Sequence, residues 1–121
     1  MPKKILVIDD SPTFAATLQA ALKEEGFDLL IALTGEEGIG LASREKPDLV
    51  VIDTLLPGLN GFDTCSRIRK ASNNTALKIL MITGSVDAID AVRARKSGAD
   101  DYAVKTKDIK LMVDLAKKIL V

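Results

Sequence analysis

The chain has no histidine and no tryptophan, and only one cysteine, one tyrosine and three phenylalanines among its 121 residues. Without histidine there is no imidazole general base and no His-ligated metal site. The single thiol, Cys65, cannot close an internal disulfide, so a reducing cytoplasm is the expected location. A surplus of charge of either sign is missing as well, with 17 Lys+Arg against 17 Asp+Glu. Nucleic-acid-binding and anionic-membrane modules rely on a basic surplus, so neither nucleic acid nor membrane is expected as a direct partner. No apolar run nears the roughly 20 residues that span a bilayer. Lys3 and Lys4 are followed only by the short run Ile5–Ile8, too little for a signal peptide. There is no P-loop sequence, and Gly35, Gly38 and Gly40 stand in the wrong order for a dinucleotide fingerprint.

What is present is 47% hydrophobic residues in a chain long enough for one domain with its own core. Short apolar runs alternate with amphipathic stretches, and the alternation repeats through the chain. The reading is strands near 3–8, 27–32, 48–53, 77–82 and 100–104, with helices near 12–25, 35–45, 61–72, 86–97 and 107–120. Several strand runs are apolar at consecutive positions, as in parallel strands covered on both faces. Phe14, Leu18, Ala21 and Leu22 share one helical face, as do Ile109, Met112, Val113, Ala116 and Ile119. Boundary signals agree. Ser11-Pro12 opens a helix, Thr34 to Glu37 has capping-box spacing, and Gly26 and Gly98 stand where helices end. Thr106 is expected to cap the last helix, with Asp108 near its positive end. Cys65, one turn from Phe62 and Ile68, reads as core. The Arg93-Ala-Arg95-Lys96 cluster reads as a solvated helix end, and Asn73-Asn74-Thr75 as a chance match to a glycosylation site.

Five βα units imply a three-layer α/β domain with right-handed crossovers, in which ligands gather at the carboxyl ends of the strands. The residues expected at that rim are Asp9-Asp10 after the first strand, Asp53 after the third, Thr83-Gly84-Ser85 after the fourth and Lys105 after the fifth. An Asp at a strand end is often a mere turn or cap residue, and a lone Lys is often solvated. Five such residues at the exits of four strands suit Mg²⁺-assisted phosphoryl chemistry instead. Two carboxylates about 5 Å apart repel by about 3 kcal/mol at an effective dielectric of about 20, which a hard dication would offset.

Ile5-Leu-Val-Ile-Asp-Asp10, Val50-Val-Ile-Asp-Thr-Leu-Leu-Pro-Gly-Leu-Asn-Gly61, Met81-Ile-Thr-Gly84 and Gly98-Ala-Asp-Asp-Tyr-Ala-Val-Lys105 together resemble the receiver domains of two-component response regulators. The resemblance covers essentially the whole chain, 1–121. It implies the flavodoxin-like fold, a five-stranded parallel sheet of order 2-1-3-4-5. It further implies that Asp53 accepts a phosphoryl group from a phosphohistidine on a sensor histidine kinase or histidine phosphotransfer protein. By the same resemblance Asp10, Asp53 and the Leu55 backbone carbonyl hold Mg²⁺, with Asp9 acting directly or through a water. Lys105 and Thr83 meet the phosphoryl oxygens, and Thr83 with Tyr102 switches the face made by helix four, strand five and helix five for a downstream protein. Such a chain promotes only its own phosphorylation and dephosphorylation and is not an enzyme acting on other substrates.

Two positions depart from the family's usual pattern. Thr106 stands where a proline normally follows the strand-five lysine, and Leu55 where many relatives carry Met. A cis bond before a non-proline residue costs about 2.5–4 kcal/mol, so the 105–106 peptide is expected to be trans. Leu55, with Ser85, flanks the path of a hydrolytic water. The missing proline leaves room for an alternative, a receiver-like interaction module independent of phosphorylation. A haloacid-dehalogenase-like phosphatase would need a second Asp at position 55 and is disfavoured by Leu55. No output domain follows in the sequence, which fits a stand-alone receiver or one excised from a longer protein.

Overall fold

The computed structural model describes residues 2–84, 88–106 and 108–121. In chain order the elements are β1 (Lys4–Ile8), α1 (Pro12–Glu24), β2 (Asp28–Ala32), α2 (Gly35–Glu45), β3 (Leu49–Asp53), α3 (Gly61–Ala71), β4 (Lys78–Thr83), α4 (Ala88–Lys96), β5 (Asp101–Val104) and α5 (Ile109–Ile119). All strands pair in parallel, in the order β2-β1-β3-β4-β5. The jump from β2 back past β1 to β3 places the reversal of strand order between β1 and β3, where a crevice opens at the carboxyl ends.

Strand alternation splits the core in two. Leu6, Ile8, Val50, Ile52, Ile79 and Met81 face α2, α3 and α4. Ile5, Val7, Leu49, Val51, Leu80 and Ile82 face α1 and α5. Between their end residues the central strands are therefore apolar at every position, because each face lies under helices. Cys65 is a buried free thiol in the first of these layers, and burial raises its pKa. Ala15, Leu18 and Leu22 of α1, and Met112, Val113 and Ala116 of α5, fill the second.

Helix boundaries follow the expected signals with one exception. The Ser11 hydroxyl accepts from the Phe14 N–H at 3.3 Å, and Thr34 Oγ1 accepts from Glu37 N–H at 3.1 Å. Gly26 and Gly98 have φ of +91° and +109°, the left-handed conformation that ends α1 and α4. The exception is α5. Its cap is Asp108, whose carboxylate accepts from Lys110 N–H at 3.1 Å, while Thr106 Oγ1 is occupied by the Asp108 N–H at 3.1 Å. Thr106 thus shapes the turn before the helix, and α5 starts at Ile109. Position 107 and the expected helix start at 86–87 lie outside the described residues.

The amino ends of β4 and β5 are tied by Arg69 of α3. Its guanidinium donates to the carbonyls of Leu77 (2.8 Å) and Gly98 (3.1 Å) and pairs with Asp100 at 2.7 Å, and Asp100 Oδ2 also accepts from Ile79 N–H at 2.8 Å. The cationic cluster on α4 is not wholly solvated either, since the Arg93 guanidinium stacks 4.2 Å from the Phe62 ring centroid. Among the described residues no helix is long and apolar enough to cross a membrane.

Candidate functional site

The parity that sorts core residues also sorts the polar ones. Asp9 continues Ile5 and Val7, Asp53 continues Leu49 and Val51, and Lys105 continues Ala103, so all three belong to the α1/α5 side. Thr83 continues Ile79 and Met81 on the opposite side. The site begins where the apolar runs end, at the carboxyl ends of the strands, and Asp9, Asp53 and Thr83 are still buried there.

Local hydrogen bonds set each carboxylate. Asp9 is fully buried, with its N–H on the Ala32 carbonyl (3.0 Å) and its Oδ1 accepting from Ser11 N–H (2.8 Å). Asp53 Oδ1 accepts from Leu55 N–H at 3.0 Å, turning the chain out of β3. The next residue, Thr54, is pinned between the Ile82 carbonyl (2.9 Å) and the Gly61 N–H (3.1 Å). The approach of α3 to this turn requires glycine, because a Cβ on Gly61 would lie 2.2 Å from the Asp53 carbonyl oxygen. Carboxylate oxygens of Asp9, exposed Asp10 and buried Asp53 all come within 4.8 Å of one another.

Lys105 completes the cluster. Its Nζ lies 2.8 Å from Asp9 Oδ2 and 3.4 Å from Asp53 Oδ2. Its backbone N–H donates to the Thr83 carbonyl at 2.6 Å, extending the β4–β5 ladder by one residue. The Lys105–Thr106 peptide is trans, as expected, so the ammonium reaches the carboxylates without a proline after it. Burial opposes the charge on Lys105, but the contacts with Asp9 and Asp53 outweigh it and raise its pKa. Burial raises the Asp53 pKa too; the Leu55 N–H opposes this, the Asp9 charge adds to it and Lys105 counteracts it.

One ammonium does not balance three carboxylates. At 4.8 Å and an effective dielectric of about 20, each carboxylate pair repels by about 3.5 kcal/mol. Asp9 Oδ2, although at ion-pair distance from Lys105, is buried without an aligned hydrogen bond. An all-oxygen donor set with an orphaned carboxylate oxygen fits a hard dication.

The other expected residues fall nearby but not all inside. Thr83 is buried at the end of β4. Leu55 is 75% exposed, its N–H on the acceptor carboxylate. Tyr102 is partly buried and pairs in register with Met81, packing into the α2/α3/α4 layer rather than against the carboxylates. Ser85 lies outside the described residues. Phe14 was legible only as an apolar face residue of the first helix, yet its ring centroid lies 4.3 Å from Lys105 Nζ.

Comparison with known proteins decides the family. The model of the response regulator receiver domain matches residues 5–117. The chain belongs to that family. Receiver domains are signalling modules. Among curated relatives, Protein PilH of Pseudomonas aeruginosa is 35% identical over 117 residues, covering 97% of each chain. The DNA-binding response regulator MtrA of Mycolicibacterium smegmatis is 40% identical over 105 residues, 87% of this chain and 45% of that one. The chain therefore spans less than half of that DNA-binding relative. A putative response regulator from Chloroflexus aurantiacus superimposes with a TM-score of 0.90 at 32% identity, covering 99% of this chain and 98% of that one. Chemotaxis protein CheY4 of Vibrio cholerae, at 22% identity, shares the fold with a TM-score of 0.94 over 99% of this chain and all of that one.

Proposed function

We propose that residues 1–121 act as one phosphorelay receiver in which Asp53 accepts a phosphoryl group from a phosphohistidine on a sensor histidine kinase or histidine phosphotransfer protein, in the cytoplasm. The observation that carries this reading is the ammonium of Lys105 held 2.8 Å from Asp9 and 3.4 Å from Asp53 inside a three-carboxylate cluster. An Asp53 carboxylate oxygen forms the new bond to phosphorus as the P–N bond of the donor breaks, its electron pair staying on the imidazole. Asp10, Asp53 and the Leu55 carbonyl would hold Mg²⁺, with Asp9 directly or through a water, and the dication would supply neutralising charge for the phosphoryl oxygens. Lys105 moves from the Asp53 carboxylate to a phosphoryl oxygen, and the Thr83 hydroxyl donates to another. Catalysis here is positioning and charge stabilisation.

Occupation of Thr83 by the phosphoryl group shifts packing on its side of the sheet, where Tyr102 also lies. That biases the α4–β5–α5 face for a downstream protein. Exposed Val92, Val104 and Leu111 stand on these elements. The position of Lys105 removes the main argument for a phosphorylation-independent module, since the missing proline does not keep the ammonium from the acceptor.

The test is incubation with acetyl phosphate and Mg²⁺, reading intact mass for wild type and Asp53→Ala. A gain of one phosphoryl mass in wild type alone is the expected result. No gain from acetyl phosphate or from a phosphohistidine donor, with folding and Mg²⁺ binding verified, would leave the phosphorylation-independent module.

A further inference from the structure

We propose that Phe14 is a positioning residue for phosphoryl transfer, holding the Lys105 ammonium over the acceptor through the face of its ring. This rests on the reading of Asp53 as phosphoacceptor and adds a part to that site. The ring centroid lies 4.3 Å from Lys105 Nζ, within the range at which an aromatic face attracts a cation. Phe14 is itself fixed. Its N–H donates to the Ser11 cap at 3.3 Å, and its side chain packs against the α1/α5 layer of the core.

Lysine needs such a guide. A flexible four-carbon stem carries its charge, and an ammonium has three donors with no preferred plane. Here the backbone beyond Lys105 is not stiffened by proline, because Thr106 follows. The β4–β5 ladder ends with the Lys105 N–H on the Thr83 carbonyl. Two carboxylates draw the ammonium inward at 2.8 and 3.4 Å, and the approach to Asp9 Oδ2 is not aligned as a hydrogen bond. Both carboxylates lose hold on Lys105 when they are engaged elsewhere, Asp53 by forming a bond to phosphorus and Asp9 by facing a cation. The quadrupole of the Phe14 ring is independent of that engagement. It is the contact that survives the reaction and keeps the ammonium beside the incoming phosphoryl oxygens.

An aliphatic residue at position 14 would fill the same space without attracting the cation. Phe14→Leu is expected to slow phosphoryl uptake from acetyl phosphate in Mg²⁺ by about 3- to 30-fold, the range of a cation–π contact from exposed to desolvated. Phe14→Tyr and Phe14→Trp should restore most of the rate. The decisive series replaces Phe14 by phenylalanines of increasing ring fluorination, which weakens the ring's attraction for cations with little change of shape. The rate should fall stepwise along it while the urea midpoint stays constant. A flat series in a wild-type background that takes up phosphoryl overturns the role of Phe14 and leaves Asp53 as acceptor. Wild type that takes up none from acetyl phosphate or from a phosphohistidine donor overturns the acceptor reading, and the role of Phe14 in transfer with it. NMR gives a check independent of transfer: the Lys105 ε-methylene protons should be shifted upfield by the ring current in wild type and not in Phe14→Leu. Unshifted wild-type protons overturn the proposal.

Discussion

Replacing glycine by alanine at two positions of the same rim should lower stability at one and leave it unchanged at the other. A Cβ added at Gly61 would lie 2.2 Å from the Asp53 carbonyl oxygen and 2.7 Å from the Thr54 Cα, both backbone atoms with nowhere to turn. Relief requires α3 to retreat by about 1 Å, since overpacked groups must separate to ordinary van der Waals distance. That retreat weakens the Gly61 N–H···O=C Thr54 bond, now 3.1 Å. Overpacking costs about 1–3 kcal/mol and the hydrogen bond about 1, against a gain of about 0.5–1 from replacing glycine in a helix. The net expectation for Gly61→Ala is a loss of about 1–3.5 kcal/mol, readable as a lower urea midpoint with unchanged slope. Because the clash falls on the acceptor residue's own carbonyl, phosphoryl uptake should also fall, and misplacement by about 1 Å can cost about 100-fold. At Gly84 a Cβ would meet nothing within 4 Å. Gly84→Ala should leave stability unchanged within about 0.5 kcal/mol while narrowing the space for a phosphoryl group beside Thr83, so uptake falls without unfolding. An unchanged midpoint for Gly61→Ala, or an equal loss for both variants, would refute this steric reasoning.

Arg69→Ala should destabilise by about 1–2 kcal/mol in urea melts, because it strips the donors from the Leu77 and Gly98 carbonyls and leaves Asp100 to Ile79 alone. A double-mutant cycle with Asp100→Asn should isolate a coupling of about 0.5–1 kcal/mol for this partly exposed pair. The Cys65 thiol, raised in pKa mainly by burial, should resist alkylation in the native state and react freely in denaturant. Above the ordinary thiol pKa the unfolded chain loses this proton while the folded chain keeps it, so Cys65 makes stability fall as pH rises there. A Cys65→Ala variant should have a shallower alkaline decline in urea midpoint, and an identical slope would refute the assignment.

The elements were legible because each carries its own local pattern. Five apolar runs and four of the helix starts or stops, at Ser11, Thr34, Gly26 and Gly98, needed no knowledge of the rest of the chain. The rim residues were legible for a related reason, since a polar residue directly after a buried run must emerge at the strand end. Thr106 misled because Thr106 and Asp108 are both capping residues, and only the geometry shows that the Asp108 N–H takes the Thr106 hydroxyl. The Arg69 tether joins residues 8, 29 and 31 positions apart, beyond any helical or strand period. Arg93 is exposed as expected, but its stacking on Phe62 was not legible because nothing in its own helix marks that ring. Phe14 was correctly placed on an apolar face, but its meeting with Lys105 depends on that side chain reaching from the end of β5 to Asp9 at the end of β1.

The parity of the strands leaves the proposed acceptor chemistry and its proposed readout on different sides of one sheet. Asp9, Asp53 and Lys105 follow the α1/α5 layer, while Thr83 and Tyr102 follow the layer beneath α2, α3 and α4. The Lys105 N–H on the Thr83 carbonyl joins the two sets through the backbone. Substitutions that retune what binds beside Tyr102 therefore need not disturb the groups that hold the acceptor. On the proposed reading, a fold so divided can change its partner contacts while the carboxylate cluster stays intact.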